Sequence, residues 1–208
     1  FPKDIENSKK AIKDIKANTD RIKSFDGFKV VDQDREFLYD LVSEVFKNMN
    51  ISPIIFELGV LRGENARNMY DKISPKEMFL IDAWSKQDLK SFEELNKGRD
   101  WVEGIDEQLF VDYFGGSLKD QSTFDNLLNE AKQRFLGKNN VHFIRSSTSE
   151  APKKLANSLR ENVHLIYVDA NHQYETVLDD LIDYLPFLHP HYGLFQLNDC
   201  CHSDSGIK

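Results

Sequence analysis

The fold of this chain is decided by residues 54–66, which read IIFELGVLRGENA. An apolar run leads to an acid, Glu57, and two glycines, Gly59 and Gly63, then precede a run compatible with a helix. This order is typical of a buried strand, a tight turn and the first turn of a helix. The glycines would let backbone approach a ligand closely, and the N–H groups that open the helix would face it. The charge of Glu57 beside this pocket disfavours a phosphate and favours a ligand with a cationic end.

A second strand, at residues 78–84, also carries an acid near its end, Asp82. In doubly wound sheets, an acid at the end of the second strand accepts hydrogen bonds from ribose hydroxyls. The pocket would therefore offer one carboxylate to an amine and another to a ribose diol. S-adenosylmethionine carries both groups and no phosphate, so we predict it as the cofactor. The residues predicted to contact it here are Glu57, Gly59, Gly63, Asp82 and Trp84.

The motifs in this chain resemble those of a known family. The acid, the two glycines and the second-strand acid are similar to the first two motifs of class I S-adenosylmethionine-dependent methyltransferases. Residues 168–175, VDANHQYE, and residues 197–199, LND, are similar to one branch of that class. This branch includes the macrocin-type O-methyltransferases and the methyltransferase domain 24 proteins. The resemblance covers about residues 50–202 and implies O-methylation of a sugar or another small molecule.

A second group of polar residues is predicted at the ends of the fourth and fifth strands, where Asp169, Asn198 and Asp199 stand. If these strands are neighbours, their backbones lie ~4.8 Å apart. Two carboxylates that close repel each other unless a cation or a shared proton lies between them. With the amide oxygen, the three residues form a hard-oxygen site suited to Mg²⁺. The resemblance implies a divalent metal too; the alternative is that one acid is structural and no metal binds.

His172 and Ser147 are the remaining candidate site residues. His172 follows Asp169 by three residues, and a histidine can accept a proton from a hydroxyl at neutral pH. The resemblance supports His172 and Asp169 as catalytic residues, with Asp169 also near the cofactor; a structural hydrogen bond of His172 is the alternative. In the family, the residues at the position of Ser147 border the adenine of the cofactor. A serine hydroxyl can contact the adenine amine. The alternative is that Ser147 only caps the next helix.

The order of apolar runs predicts an α/β fold, with a doubly wound, Rossmann-like, mainly parallel sheet and helices on both faces. Residues 1–50 form an N-terminal helical segment in this interpretation, and residues 51–208 form the cofactor-binding domain. Its insertion, residues 85–119, is either a substrate-facing lid or a packed surface excursion. Family members continue for two strands beyond the fifth, so the far edge of the sheet is expected to be missing, disordered or supplied elsewhere. The predicted strands are 54–58, 78–84, 141–145, 164–169 and 194–197, and the clearest helices are 33–49, 120–135 and 174–188.

Helix 33–49 is predicted to cover one face of the sheet. Its apolar side chains recur at helical spacing and define one wide face. The residues of this face are Phe37, Leu38, Leu41, Val42, Val45 and Phe46.

Composition limits the remaining possibilities. The chain has 208 residues and a formal charge of −8, which argues against nucleic acid as a partner because phosphate contacts need basic patches. No apolar run approaches the ~20 residues of a membrane span. Adjacent Cys200 and Cys201 are poorly placed for a structural disulfide and fit a reduced, cytoplasmic protein. The expected partner is a small hydroxylated acceptor, and the N-terminal helix and the open sheet edge are candidate contacts between identical copies.

Two other functions share this pattern. An NAD-dependent oxidoreductase would use the same sheet and Asp82, but it should show the spacing G-x-G-x-x-G after the first strand. A non-catalytic cofactor-binding or assembly module is the other alternative. It is favoured by Ser147 and Asn198, which stand where the family commonly has an acidic residue and a histidine.

Overall fold

The computed structural model describes residues 35–86, 107–156, 159 and 161–198. Five strands form one sheet: β1 (Ile54–Leu58), β2 (Glu77–Asp82), β3 (Val141–Arg145), β4 (Leu165–Val168) and β5 (Leu194–Leu197). The helices are α1 (Arg35–Asn48), α2 (Glu64–Ile73), α3 (Glu107–Phe114), α4 (Gln121–Arg134), α5 (Ala151–Leu155) and α6 (Tyr174–Tyr184), with a 3₁₀ turn at Leu185–Phe187.

The strands are parallel and lie in the order β3-β2-β1-β4-β5. Leu58 at the end of β1 is in register with Ile81 in β2 and with Val168 in β4, and Val168 is in register with Leu197 in β5. The carboxyl ends of these four strands therefore meet at one edge of the sheet. The predicted α/β, doubly wound fold is confirmed, and β4 and β5 are neighbours as the candidate site requires.

Apolar side chains cover both faces of the sheet. Successive residues of β1 point to opposite faces, and Ile55 and Phe56 belong to different core clusters. One cluster includes Tyr39, Ile55, Met69, Leu80, Trp84, Leu127 and Tyr167. The other includes Phe56, Leu58, Ile81, Ala151, Ile166, Val168 and Tyr184. All five β1 side chains are buried, as expected for a parallel sheet with helices on both sides.

Helix α1 forms where the apolar spacing predicts it, but the face that it buries differs. Leu41 and Val45 are 48% and 40% exposed, whereas Tyr39 is 0% exposed and Ser43 is buried. The predicted wide apolar face was therefore wrong for Leu41 and Val45. The buried face of α1 instead includes two side chains with hydroxyl groups, Tyr39 and Ser43. Ser43 Oγ donates a hydrogen bond to the Lys72 carbonyl at 2.9 Å.

Two boundaries refine the sequence interpretation. Strand β2 ends at Asp82, because Trp84 has a positive φ of 38° and turns the chain. Helix α6 ends at Tyr184, where the 3₁₀ turn containing Pro186 begins. The insertion contains α3; residues 87–106 and the N-terminal segment before residue 35 lie outside the described residues. Within the described ranges, no helix combines the length and apolar character that a membrane span needs.

Candidate functional site

The glycine turn after β1 is shaped by internal packing. Gly59 has a φ of +82°, and a Cβ there would lie 2.1 Å from the carbonyl oxygen of Asp169. Gly63 has a φ of +75°, and its Cβ would lie 3.2 Å from the Cβ of Ala131 on α4. The sequence analysis assigned both glycines to close approach of a ligand. The structure adds another reason for them, because the turn lies directly against the end of β4 and against α4.

Asp82 ties the glycine turn to the end of β2. Its Oδ2 accepts hydrogen bonds from the backbone N–H groups of Val60 at 2.9 Å and Leu61 at 3.0 Å. Its Oδ1 accepts a third from the N–H of Trp84 at 2.8 Å. A carboxylate has about four acceptor positions, so a ribose contact is compatible with these bonds. The cofactor role of Asp82 stays a prediction, and the structure gives the residue a turn-holding role as well.

Trp84 braces the same turn from inside the protein. Its ring is 1% exposed and packs against Phe143, with the ring centroids 6.2 Å apart. The indole Nε1 donates to the carbonyl of Leu61 at 2.9 Å. The predicted contact between Trp84 and the cofactor stays a prediction; in this arrangement the ring belongs to the core.

Glu57, at the end of β1, is held by two residues that sequence reasoning missed. Its side chain is 1% exposed, and its Oε1 accepts a hydrogen bond from Asn65 Nδ2 at 2.8 Å. Asn65 Oδ1 in turn accepts a hydrogen bond from the hydroxyl of Tyr39 at 2.6 Å. The sequence offered two signals for this arrangement: an amide side chain, Asn65, at the second residue of α2, and a tyrosine, Tyr39, among the apolar residues of α1.

A similar arrangement occurs at the ends of β4 and β5. Asp169 Oδ1 accepts a hydrogen bond from Asn198 Nδ2 at 2.8 Å, and Asn198 Oδ1 accepts one from the Tyr167 hydroxyl at 3.0 Å. His172 Nε2 lies 3.8 Å from Asp169 Oδ1. The structure therefore brings Asp169, Asn198 and His172 together. The fourth predicted residue, Asp199, lies outside the described residues.

The fit of a divalent metal to this site depends on the donor atoms. Asp169 supplies hard carboxylate oxygens. The amide nitrogen of Asn198, however, donates a hydrogen bond to one of them, and the amide oxygen accepts a hydrogen bond from the Tyr167 hydroxyl. Among residues 35–86, 107–156 and 161–198, the structure contains no cluster of three or more His, Cys, Asp or Glu side chains that could hold a metal. An amide oxygen has a second lone pair, so Asp169, Asn198 and Asp199 stay the predicted metal ligands.

The turn after β3, where Ser147 was predicted to border adenine, contacts a buried acid, Asp180, through Thr148. The Ser147 hydroxyl is exposed and lies 3.1 Å from that of Ser149, so its adenine contact stays a prediction. Beneath it, Asp180 is 3% exposed. Burial raises the pKa of the Asp180 carboxyl to about 6, a hydrogen bond from Thr148 opposes the rise, and the charges of Asp183 and Asp179 add to it.

Comparison with protein families identifies the class of this chain. Residues 56–200 match the family model described as a methyltransferase domain, Methyltransf_24. The chain belongs to this family. It is a class I S-adenosylmethionine-dependent methyltransferase, as the motifs indicated. A search of curated proteins found no match.

The chain is also similar to several solved structures. The chain is similar to a Bacillus cereus O-methyltransferase in complex with S-adenosylhomocysteine, with 10% identity over 85% of this chain and 60% of that one and a TM-score of 0.44. It is similar to the S-adenosylhomocysteine-bound Podospora anserina methyltransferase PaMTH1, with 13% identity, 77% and 51% coverage and a TM-score of 0.45. It is also similar to CalS11, a TDP-rhamnose 3'-O-methyltransferase of calicheamicin biosynthesis, with 14% identity, 84% and 69% coverage and a TM-score of 0.50.

Of these three likenesses, the one to CalS11 bears on the fold, and on the fold alone. The chain spans 60% and 51% of the length of the first two proteins, so their complete activities do not transfer to it. The match to the macrocin-type branch stays a prediction.

Proposed function

We propose that this methyltransferase transfers a methyl group to a hydroxyl oxygen of a small molecule, with a sugar as the first candidate. One observation carries the proposal: Asp169 and His172 lie together at the sheet edge to which the glycine turn also belongs. Gly59 of that turn packs against the Asp169 carbonyl, and His172 Nε2 lies 3.8 Å from Asp169 Oδ1. A cofactor held by the turn would present its reactive carbon near a group that can accept a proton.

The cofactor would lie across the ends of β1 and β2. In this proposal Glu57 attracts its amino group, Asp82 accepts from the ribose, and Ser147 borders the adenine. Asp82 accepts hydrogen bonds from the backbone N–H groups of Val60 in the glycine turn and of Trp84 after β2. The glycine turn would therefore be held in place before the cofactor binds. Preorganisation of this kind lowers the cost of ordering a site on binding.

The transfer is a direct displacement. When bound, S-adenosylmethionine would supply the methyl group: the acceptor oxygen would form the new O–CH₃ bond as the S–CH₃ bond breaks, which would leave S-adenosylhomocysteine. His172 Nε2, which lies 3.8 Å from Asp169 Oδ1, would accept the acceptor's proton. The protein mainly holds donor and acceptor in line.

Divalent metal assistance is a separate part of the proposal. Asp169, Asp199 and Asn198 would hold Mg²⁺, which would lower the pKa of a bound hydroxyl. Support for it comes from the hard-oxygen chemistry of these side chains and from the family resemblance. The sugar acceptor likewise rests on the resemblance, and the cytoplasmic location and the contact between copies stay predictions.

The test is a transfer assay with methyl-labelled S-adenosylmethionine and a panel of nucleotide sugars, free sugars and phenols, with and without Mg²⁺. We expect label in a hydroxylated acceptor, and loss of transfer in Asp169→Asn. Binding of S-adenosylhomocysteine without transfer to any acceptor would favour the non-catalytic module instead. Equal transfer with Mg²⁺ and with a chelator would remove the metal from the proposal.

A further inference from the structure

We infer that Tyr39 is a positioning residue for the cofactor, although it lies on the helix that precedes the sheet. It acts through Asn65, which holds Glu57 in the orientation that attracts the cofactor's amino group. This inference rests on the proposed function, because it assumes that S-adenosylmethionine binds at the ends of β1 and β2.

The contact chain from Tyr39 to Glu57 is continuous. The Tyr39 hydroxyl donates to Asn65 Oδ1 at 2.6 Å, and Asn65 Nδ2 donates to Glu57 Oε1 at 2.8 Å. A carboxylate accepts hydrogen bonds only, so the amide must turn its nitrogen to Glu57 and its oxygen to Tyr39. Each group is therefore used in the one orientation that satisfies both neighbours.

The same three-residue construction holds the second acid of the site. Tyr167 donates to Asn198, and Asn198 donates to Asp169. The two tyrosine rings contact each other edge to face, with centroids 6.1 Å apart. A tyrosine, an asparagine and an acid thus recur in the same order at two strand ends, and the two sets share one aromatic contact. This repetition supports a role in orienting the acids beyond simple packing.

The physical effect of Tyr39 on Glu57 follows from burial. Glu57 is 1% exposed and Tyr39 is 0% exposed, so solvent would screen a charge on this carboxyl group little. An N–H donated to a carboxylate favours its charged form. Without the Tyr39 hydroxyl, the Asn65 amide loses its anchor, and the carboxylate loses a fixed donor.

Helix α1 also extends the site beyond the family's common part. Tyr39 lies outside residues 56–200, the range that matches the family model. Cofactor recognition in this chain would therefore depend on an element that the common family domain does not include.

The experiment compares two probes by calorimetry: S-adenosylhomocysteine, and methylthioadenosine, which keeps the adenosine and the thioether but lacks the amino acid end. The variant is Tyr39→Phe, which keeps the ring and its contact with Tyr167. Tyr70→Phe is the matched control, because its hydroxyl also donates to an asparagine, Asn140 Oδ1 at 2.9 Å, at the opposite end of α2.

We expect Tyr39→Phe to weaken S-adenosylhomocysteine about fivefold, the effect of losing one hydrogen bond, and to leave methylthioadenosine unchanged. Tyr70→Phe should change neither affinity. If Tyr39→Phe does not fold, Asn65→Ala is the second variant, with an expected loss of about tenfold or more for S-adenosylhomocysteine alone, because it removes a donor to a charged group.

Three results would overturn the inference. Equal weakening of both probes would mean that Tyr39 is only structural, and no change in either would mean that Glu57 does not depend on it. If the wild-type protein binds the two probes equally, Glu57 does not recognise the amine, although the proposed function stands. Failure of the wild-type protein to bind S-adenosylhomocysteine would instead overturn the proposed function itself.

Discussion

The two halves of the sheet edge treat their acids differently. At the β1–β2 end, Asp82 accepts three backbone N–H groups, and Glu57 is 1% exposed. At the β4–β5 end, the side chains of Asp169 and His172 are 22% and 38% exposed. The first half is thus tied to the core by buried Glu57 and to the backbone by Asp82, which is itself partly exposed, and the acid and histidine of the second half are both partly exposed.

This difference separates the two tasks of a group-transfer site. In the proposed function, Glu57 and Asp82 bind the cofactor, and their hydrogen bonds also hold the end of β1 and the glycine turn. Changes there should therefore affect stability and cofactor affinity together. Residues at the second half should affect transfer and leave stability nearly unchanged.

The largest effect is expected for Gly59→Ala, which should lower the free energy of unfolding by about 4 kcal/mol, as left-handed strain adds to overpacking. The added Cβ would lie 2.1 Å from the carbonyl oxygen of Asp169. The close approach of Gly59 to Asp169 joins the two halves of the sheet edge. Urea unfolding measures this. Gly137→Ala is the control, because Gly137 has a φ of +79° but no atom within 4 Å of an added Cβ. A similar loss in both variants would show that the close approach to β4 is unimportant.

Asp82→Asn should cost about 3 kcal/mol, because it removes hydrogen bonds between a charged acceptor and backbone donors. Affinity for S-adenosylhomocysteine should fall in parallel, by about tenfold or more. Urea unfolding and calorimetry on the same preparation measure the two effects. Asp71→Asn removes only an exposed pair with Arg67 and should stay within about 0.5 kcal/mol. Lost affinity with full stability would assign Asp82 to the ligand alone.

Asp180→Asn should stabilise the protein at neutral pH by about 2 kcal/mol. The folded-state pKa of Asp180 is raised to about 6 from its usual value of 3.8, so the folded protein binds the proton more tightly than the unfolded chain. Stability should therefore fall as pH rises from about 4 through about 6. Thermal melts across this range should show a smaller fall in the variant. Asp71→Asn is the control, because Asp71 is exposed and pairs with Arg67. An unchanged pH profile would contradict this account of the buried acid.

The smallest effect on stability, within about 1 kcal/mol, is expected for Asp169→Asn, because the carboxylate is partly exposed and an amide oxygen can still accept from Asn198. Affinity for S-adenosylhomocysteine should change less than threefold, while transfer falls by about a hundredfold or more. Calorimetry and the transfer assay measure these two quantities. Loss of affinity for S-adenosylhomocysteine by about as much as the loss of transfer would contradict the division between the two halves.

The sequence was most informative where one physical rule decides the outcome. Continuous apolar runs ending in Glu57, Asp82 and Asp169 predicted buried parallel strands, and their adjacency placed the acids at one edge. Gly59 and Gly63 were identified correctly as parts of a turn. The internal packing that also requires a glycine at position 59 could not be inferred from the sequence spacing. It is a contact between residues 110 positions apart, Gly59 and Asp169, and no local pattern contains it.

Hydrogen-bonded side chains were the main omission. Tyr39 and Asn65 lie in helices whose apolar pattern was read without regard to hydroxyl and amide groups, and Asn198 was read as an oxygen donor although it presents its nitrogen to Asp169. The direction of an amide is set by its partners, and these come from distant parts of the chain. For the same reason, the buried face of α1 included Tyr39 and Ser43 instead of Leu41 and Val45.

A single calorimetric comparison tests the central claim most directly: titration of the wild-type protein with S-adenosylhomocysteine and, separately, with NAD under the same conditions. The account predicts saturable binding of S-adenosylhomocysteine and no binding of NAD, because the acid beside the glycine turn favours an amine and repels a pyrophosphate. Binding of NAD without binding of S-adenosylhomocysteine would contradict it.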